Sequence, residues 1–353
     1  MRKKLKILFH LPNPYSIYAG RTIYFGYKHA FEDLGHEFKE LTPDSNQKQL
    51  FEKYKPDIFM TSISPIVFRF LNLNLVKKQK KLGMKVFVNT PFWKSPMSKL
   101  RINEVQSLFE NDEYINLIQS RNFGDVYYNI CEQGDERMSG FKKVTGYIPQ
   151  TILLATDKTI LPPVFSEEFA CDISFIGTYL PEKQEFIKKH VFPLMKKYKV
   201  KLYGRDWTLA NRISNFVQKV GQYFNIPYVK SINKYKPTLE EERQIHFSST
   251  IALNIHEDYQ KQCLGDLNER TFKIPASGGF EILDNVPSLK KYFIENKEIV
   301  IGYNTNDWFE KIEYYLKYPK KRLPIIEKGR EVVLKNHTYH VRINQLIKLY
   351  INI

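Results

Sequence analysis

The feature that most limits what this chain can become is an alternation of short apolar stretches with amphipathic helical ones. It runs for about half the sequence, pauses, and starts again. Residues 6–11 read as a strand, a helix that includes residues 29–34 is stopped by Gly35, and residues 37–41 resume as strand. Residues 55–62 turn into another strand, 67–82 read as a helix closed by Gly83, and 85–89 and 125–130 read as strands. A parallel strand pair needs a crossover long enough to hold a helix, so this rhythm predicts parallel sheets with helices on their faces. After the proline- and acid-rich residues 161–168 the rhythm restarts: strand at 172–177, helix at 181–198, then strands at 199–204, 250–255 and 279–283. Helices at 307–318, 324–336 and 338–350 fill the tail, the last with Ile343, Leu346, Ile347 and Tyr350 on one face. The expected architecture is α/β, two Rossmann-like, doubly wound parallel-sheet domains facing a cleft. Their expected bounds are 1–165 and 166–335, with a C-terminal helix, 336–353, packing back toward the first domain.

A chain of 353 residues, 42% of them hydrophobic, can fill two such cores. Its apolar runs are far shorter than the ~20 residues that cross a bilayer. The basic start, Met1 to Lys6, meets an apolar stretch that ends before His10 and Pro12, too short for a signal peptide, so a cytoplasmic protein is expected. Cys131, Cys171 and Cys263 are widely spaced and form no metal-ligand pattern, which suits reduced, buried thiols. The net charge of +16 attracts polyanions: nucleic acid, an anionic membrane surface or phosphorylated substrates. The basic residues are dispersed (Lys77 to Lys81, Lys188-Lys189, Lys196-Lys197, Lys320 to Arg322), a pattern that solvated helix faces also produce.

Several chemistries lack their motifs. There is no G-x-x-x-x-G-K-[ST] loop, no G-x-G-x-x-G, no G-x-S-x-G and no H-E-x-x-H. Phosphate binding would therefore rest on backbone amides and cationic side chains. The segment 267–284 offers both. A helix start around Asn268 to Thr271 would present unpaired N–H groups and a positive dipole end, and Arg270 adds a planar cation. Ser277, Gly278 and Gly279 would end the helix and allow close backbone approach. An ordinary helix–glycine–strand connection would look the same.

The run from Asn268 through Arg270-Thr-Phe, Ile274-Pro-Ala and Gly278-Gly-Phe resembles the donor-site segment of the CgeB-like (spore maturation protein-like) glycosyltransferases, which are GT-B enzymes related to glycosyltransferase group 1. The likeness continues through Glu298 to Tyr303, Trp308 to Leu316, Tyr318-Pro319 and Gly329-Arg330 to Tyr339. Upstream it takes in Phe175 to Lys183, Leu202 to Trp207 and Leu253 to His256; before residue 172 it is loose. It implies transfer from a nucleoside-diphosphate sugar, a co-substrate and not a cofactor, to a glycan, lipid-linked or other surface-polymer acceptor. Metal-dependent single-domain transferases hold the diphosphate through a D-x-D pair; none occurs here, so a metal-independent reaction is expected. The sequence departs from the family at Lys273, where the resemblance expects a glutamate that bonds the donor ribose. A lysine only donates hydrogen bonds.

On this resemblance Gly177 and Thr178 let the backbone approach the diphosphate, and Lys183 or Arg270 neutralises it. Gly204, His256, Thr271, Lys273, Gly278 and Gly279 complete the donor-side candidates. Lys183 as an exposed first-turn lysine and His256 as a satisfied structural histidine are the plainer readings. His10 is a candidate acceptor-side base, and Gly20, Arg21, Phe92 and Trp93 are candidates for the acceptor surface, with core packing the commoner fate of such aromatics. Two other functions fit the sequence: a phage-type DNA glycosyltransferase acting on a modified base, suggested by the charge, and a catalytically weak nucleotide- or sugar-binding protein, suggested by Lys273.

Overall fold

The computed structural model describes residues 3–14, 20–94, 108–160, 163–232, 237–261 and 267–353. The chain divides into two compact units: Met1–Leu153 with Lys219–Ser231 and Arg342–Ile353, and Leu154–Gln218 with Ile232–Val341.

The first unit is built on β1 (Lys6–His10), β2 (Glu37–Leu41), β3 (Ile58–Ser62), β4 (Lys85–Asn89), β5 (Val126–Asn129) and β6 (Gln150–Thr151), in the order β2-β1-β3-β4-β5-β6. Every pairing is parallel. Helices cover both faces of such a sheet, so its central strands are apolar throughout: Val86, Phe87 and Val88 are all fully buried. The edge strand β2 instead carries Glu37, Lys39 and Glu40, charges that discourage pairing with another chain. The order reverses between β1 and β3, which puts the switch point of this sheet beyond His10.

The second unit has β7 (Cys171–Ile176), β8 (Val200–Tyr203), β9 (Ser249–Asn254), β10 (Glu281–Asp284) and β11 (Val300–Gly302), in the order β11-β10-β9-β7-β8, again all parallel. Alternate residues enter two clusters. Ile282 and Val300 pack with Phe175, Leu253 and Trp308, whereas Leu283 and Ile301 pack with Phe272, Val286 and Val333. The switch point here lies between β7 and β9, where an open α/β sheet leaves a crevice for ligands.

Each strand expected from the sequence is present, and the fold is the expected pair of parallel-sheet α/β domains. Some elements differ. The helix expected over 67–82 is two, Pro65–Phe68 and Leu73–Lys81, because the Asn72 side chain accepts from the amides of Asn74 and Leu75 and starts the second one. The helix expected over 181–198 stays α-helical only for Pro181–His190 and tightens to a 3₁₀ turn at Phe192–Lys196 around Pro193, which has no N–H to donate. Cys131 and Cys171 are buried and in no disulfide; Cys263 lies outside the described residues.

Gly204 joins two loops of the second sheet. Its φ is +115°, and a Cβ there would sit 2.3 Å from the Gly177 carbonyl oxygen. Gly278, in the same unit, also has a positive φ, +74°, but a Cβ would meet only the Phe247 side chain at 3.3 Å. Gly278→Ala should cost roughly 1–2 kcal/mol for the left-handed backbone. Gly204→Ala should cost about 3 kcal/mol or more, because backbone must also move. Urea unfolding of both variants checks this, and equal losses would show that the two loops are not pressed together.

Candidate functional site

The carboxyl ends of β7 and β9 bring together the residues with the most chemistry. Asn254, the last residue of β9, is fully buried. Its side-chain amide donates to Thr271 Oγ1 at 3.0 Å and to Glu281 Oε1 at 2.8 Å. Its oxygen accepts from Asn268 Nδ2 at 2.8 Å and Arg270 Nε at 3.0 Å. Both donors and both lone pairs are used, which is what burial of a primary amide demands.

Arg270 opens the helix Arg270–Ala276. Nε is held by Asn254, and Nη2 donates to the Ile255 carbonyl at 2.9 Å. The remaining nitrogen, Nη1, is directed at the loop after β7: a Cβ on Gly177 would lie 3.5 Å from it. Two of the guanidinium's three nitrogens are fixed, and the third is presented at the switch point. The helix-start amides expected to bind an anion are already engaged. Asn268 Oδ1 accepts from the N–H groups of Arg270, at 3.0 Å, and Thr271, at 3.3 Å. Anion recognition at this end therefore falls to side chains.

Lys183 is buried, 5% exposed, with Nζ 3.7 Å from Glu257 Oε1, so it is not the solvated lysine that its position in a first turn suggests. His256 is the satisfied structural histidine. Its N–H donates to the Asp284 carboxylate, Nδ1 lies 2.7 Å from Asp284 Oδ1, and Nε2 lies 3.3 Å from Thr271 Oγ1. Burial lowers its pKa, against the opposing pull of Asp284. The neutral ring donates from Nδ1 and accepts the Thr271 hydroxyl at Nε2, extending the chain that begins at Asn254. Asp284 also pairs with Lys261 at 3.1 Å.

The loop that Arg270 faces is itself anchored. Trp207 Nε1 donates to the Gly177 carbonyl at 3.1 Å, the Tyr179 N–H donates to the Arg205 carbonyl at 2.8 Å, and Tyr179 stacks on Trp207 with centroids 4.8 Å apart. Gly204 serves this loop by packing on Gly177. Thr178 is half-buried in the same loop. Gly278 and Gly279 are not part of this group. They precede β10, beside Phe247 and the His246 carbonyl, at the amino edge of the sheet.

Lys273 lies one turn into the helix and is enclosed by carboxylates. Nζ is 2.9 Å from Glu269 Oε2 and 3.1 Å from Glu242 Oε2, with all three side chains largely buried. A glutamate at this position would face two others. Beneath the site, Glu281 is buried, and among the described residues only Asn254 donates to it. Burial pushes its pKa up to about 8.

The remaining candidates belong to the first unit. His10 closes β1 with Nδ1 2.9 Å from Thr61 Oγ1, and burial lowers its pKa to about 3, which makes it a weak base. Gly20 is exposed and Arg21 buried at the start of the helix Gly20–Asp33; residues 15–19 of the preceding loop lie outside the described residues. Trp93 is core, edge-on to Phe141 at 5.8 Å, and Phe92 lies under the Arg137 guanidinium at 4.5 Å. Both aromatics take the packing role.

Asn254, Glu242, Glu257, Glu281 and Asp284 did not emerge as site residues from the sequence. A signal existed for three of them: Asn254, Glu281 and Asp284 are polar residues at the ends of otherwise apolar strands, and such residues need partners when buried. Among the described residues no cluster of His, Cys, Asp and Glu is arranged to hold a metal ion, and no helix is long and apolar enough to cross a membrane.

Residues 183–348 match the family described as glycosyl transferase-like. No curated protein matches the chain. Three solved structures resemble it along nearly their whole length. An α-glucosyltransferase in complex with UDP and a 13-mer DNA containing an HMU base has a TM-score of 0.62 at 14% identity, covering 99% of this chain and 100% of its own. A glycosyltransferase from Rickettsia africae gives 0.60 at 13%, covering 98% of each. Sucrose-phosphate synthase from Thermosynechococcus elongatus gives 0.59 at 13%, covering 99% of each. The family match is to glycosyl transferase-like proteins, and the fold, two parallel-sheet α/β domains, is shared with glycosyltransferases of the GT-B architecture.

The carboxylates around Lys273 yield a stability test. Lys273→Met leaves Glu242 and Glu269 without their cation and should cost about 3–5 kcal/mol. Adding Glu242→Gln and Glu269→Gln should recover most of the loss in urea unfolding. A single variant as stable as the parent would show that the trio is not paired.

Proposed function

We propose that this protein transfers a sugar from a nucleoside-diphosphate sugar to a glycan, lipid-linked or other surface-polymer acceptor, without a metal ion. The observation that carries the reading is Arg270, clamped through Nε and Nη2 and presenting Nη1 at the crevice between β7 and β9. In this reading the diphosphate lies against the Gly177–Thr178 backbone. Nη1 of Arg270 donates to it, and Lys183, close by on the helix after β7, adds charge. As the bond from the sugar to the diphosphate breaks, negative charge grows on the leaving phosphate. Cations fixed in advance and partly withdrawn from water stabilise that charge without reorganising. The sequence lacks the D-x-D pair of metal-held diphosphates, and the same cations take over its electrostatic task.

Lys273 sets the donor's ribose contact apart from the family pattern. Its charge is met by Glu242 and Glu269, so it is a poor candidate for a phosphate ligand. Glu269 Oε1 is buried and has no partner among the described residues, and it offers the acceptor that a lysine cannot.

A second acceptor is favoured by two observations. The net charge is +16, and a structural neighbour was solved with UDP and DNA. If the acceptor is DNA, affinity for duplex at ~150 mM salt should be submicromolar and should fall steeply with added salt. The reading given first expects weak binding that fades by that ionic strength.

Arg270→Ala should weaken nucleoside diphosphate binding by roughly tenfold to a hundredfold, the equivalent of one charge-assisted hydrogen bond in a sheltered site. Calorimetric titration of a panel of nucleoside diphosphates measures it, with thermal unfolding as the check on folding. Parental affinity in a folded variant would place the donor elsewhere.

Donor hydrolysis or transfer should also persist in excess chelator. Complete loss there, restored by manganese, would overturn the metal-free mechanism.

A further inference from the structure

A carboxyl group is buried where the strand pattern calls for an apolar side chain. Glu281 opens β10 opposite Ala252 of β9, at 3% exposure. It shares its face of the sheet with Leu283, which packs with Phe272, Ile301 and Val333. Asn254 lies diagonally across the strand pair, and its amide nitrogen, 2.8 Å from Oε1, is the carboxyl's one hydrogen-bond partner among the described residues; Oε2 has none. A carboxylate withdrawn from water needs more donors than this, so the neutral acid is the form the site accommodates. Burial raises its pKa to about 8 and Asp284 adds to the rise, whereas the Asn254 hydrogen bond and the Arg270 charge oppose it.

Few other charges bear on this carboxyl. Strands β9 and β11 carry no titratable side chain. The helix Arg270–Ala276 brings Arg270 and Lys273, and the lysine is met by Glu242 and Glu269. On the helix Leu239–Ser248, Arg243 is turned to the carbonyls of Asp157 and Ile160. His246 of that helix and His256 after β9 are buried, with lowered pKa, and stay neutral. Asp284 is paired with Lys261. The charged residues of the helix Leu323–Asn336 are all exposed, and His337 beyond it stacks on Phe272. Arg270 is thus the cation that responds to the charge on Glu281, and one amide fastens both: Asn254 donates to Glu281 and accepts from Arg270 Nε at 3.0 Å.

The charge of Arg270 favours ionisation of Glu281. An anion paired with Arg270 cancels that pull, so Glu281 keeps its proton more firmly, and by reciprocity the protonated site binds the anion better. Once ionised, Glu281 draws on Arg270 in competition with the anion. We infer that Glu281 is a positioning residue of the donor site: as the neutral acid it holds Asn254, and through it Arg270, toward a bound diphosphate, and it takes up a proton as the diphosphate binds. This rests on the proposed contact between Arg270 and the donor.

The test is calorimetric titration of uridine diphosphate into the full chain from about pH 7 to about pH 9.5, above the second ionisation of a phosphate at about pH 6. Parental affinity should fall roughly threefold to tenfold across that range, and near pH 8 the binding heat should vary with the ionisation enthalpy of the buffer, which reports proton uptake. Glu281→Gln keeps an acceptor for Asn254 but cannot ionise, so it should restore binding with neither the fall nor the buffer dependence. Glu281→Leu removes the acceptor and should bind roughly tenfold more weakly at every pH, with thermal unfolding as the check on folding. Without nucleotide, the parent should lose stability in urea relative to Glu281→Gln from about pH 5 to about pH 8 and then level off, because the folded chain holds a proton that the unfolded chain has released. A parent indistinguishable from Glu281→Gln in pH and buffer dependence, a stability difference that does not vary with pH, or parental affinity in a folded Glu281→Leu would overturn the inference even if Arg270→Ala has lost the nucleotide. Parental affinity in Arg270→Ala would overturn the donor-site reading itself, and this inference with it.

Discussion

The switch-point end of the second domain's sheet depends on one buried amide. Asn254 closes β9 at the point where the strand order reverses, and its four hydrogen bonds reach Thr271, Glu281, Asn268 and Arg270. An amide this deep is costly unless every donor and acceptor is met, and here each is. The consequence is mechanical. A strand end, the turn before the next helix, the first residue of that helix and the following strand are fixed to one another by a single side chain. Arg270 is aimed because Asn254 is saturated, and His256 has its tautomer set because Thr271 already accepts from Asn254 and so donates onward.

Glu281 sits at the far side of this network and is its least comfortable member. Its carboxyl is buried, receives one hydrogen bond, and has its proton held by burial to about pH 8. An apolar residue would suit the strand better. A carboxyl suits Asn254, which otherwise would have an unmet N–H in the core. Local stability is given up in the strand so that the amide above it has one orientation. This is the usual direction of trade at a functional site.

Much of the fold was legible because parallel sheets covered on both faces leave strong local marks. Val86-Phe87-Val88 is an unbroken apolar run, Ile173 to Ile176 is interrupted only by Ser174, and Gly35 and Gly83 stand where a left-handed residue must end a helix. Strands β6 and β11 have two and three residues and leave no periodicity to read. The helix Leu239–Ser248 had a readable capping box, Thr238 with Glu241, that periodicity alone passes over. The site was less legible, for a physical reason. Arg270 and Lys183 could be found as cations near glycines, but what holds them comes from elsewhere in sequence: Asn254 for Arg270, Glu257 for Lys183, Glu242 for Lys273. The amides at the start of the helix looked available because sequence shows a helix start, not whether a neighbouring Asn268 already occupies it. Trp93 and His10 likewise look functional by type and position, and only their burial shows what each does.

The large positive charge resolves into two populations once pairing is considered. At the site it is balanced at close range: Lys183 faces Glu257, Lys261 faces Asp284, and Lys273 faces Glu242 and Glu269. These groups are rigid because they are paired, and they shape the field over a few ångströms. The excess lies elsewhere, on the exposed faces of separate helices and turns such as Lys77, Lys188-Lys189, Lys196 and Lys320-Lys321. Charges spread in this way act on anything polyanionic, at a range that salt limits to about 10 Å, and they carry no geometry to tell a lipid surface from a duplex. Net charge alone therefore cannot select the acceptor. Selection requires a feature with shape as well as sign.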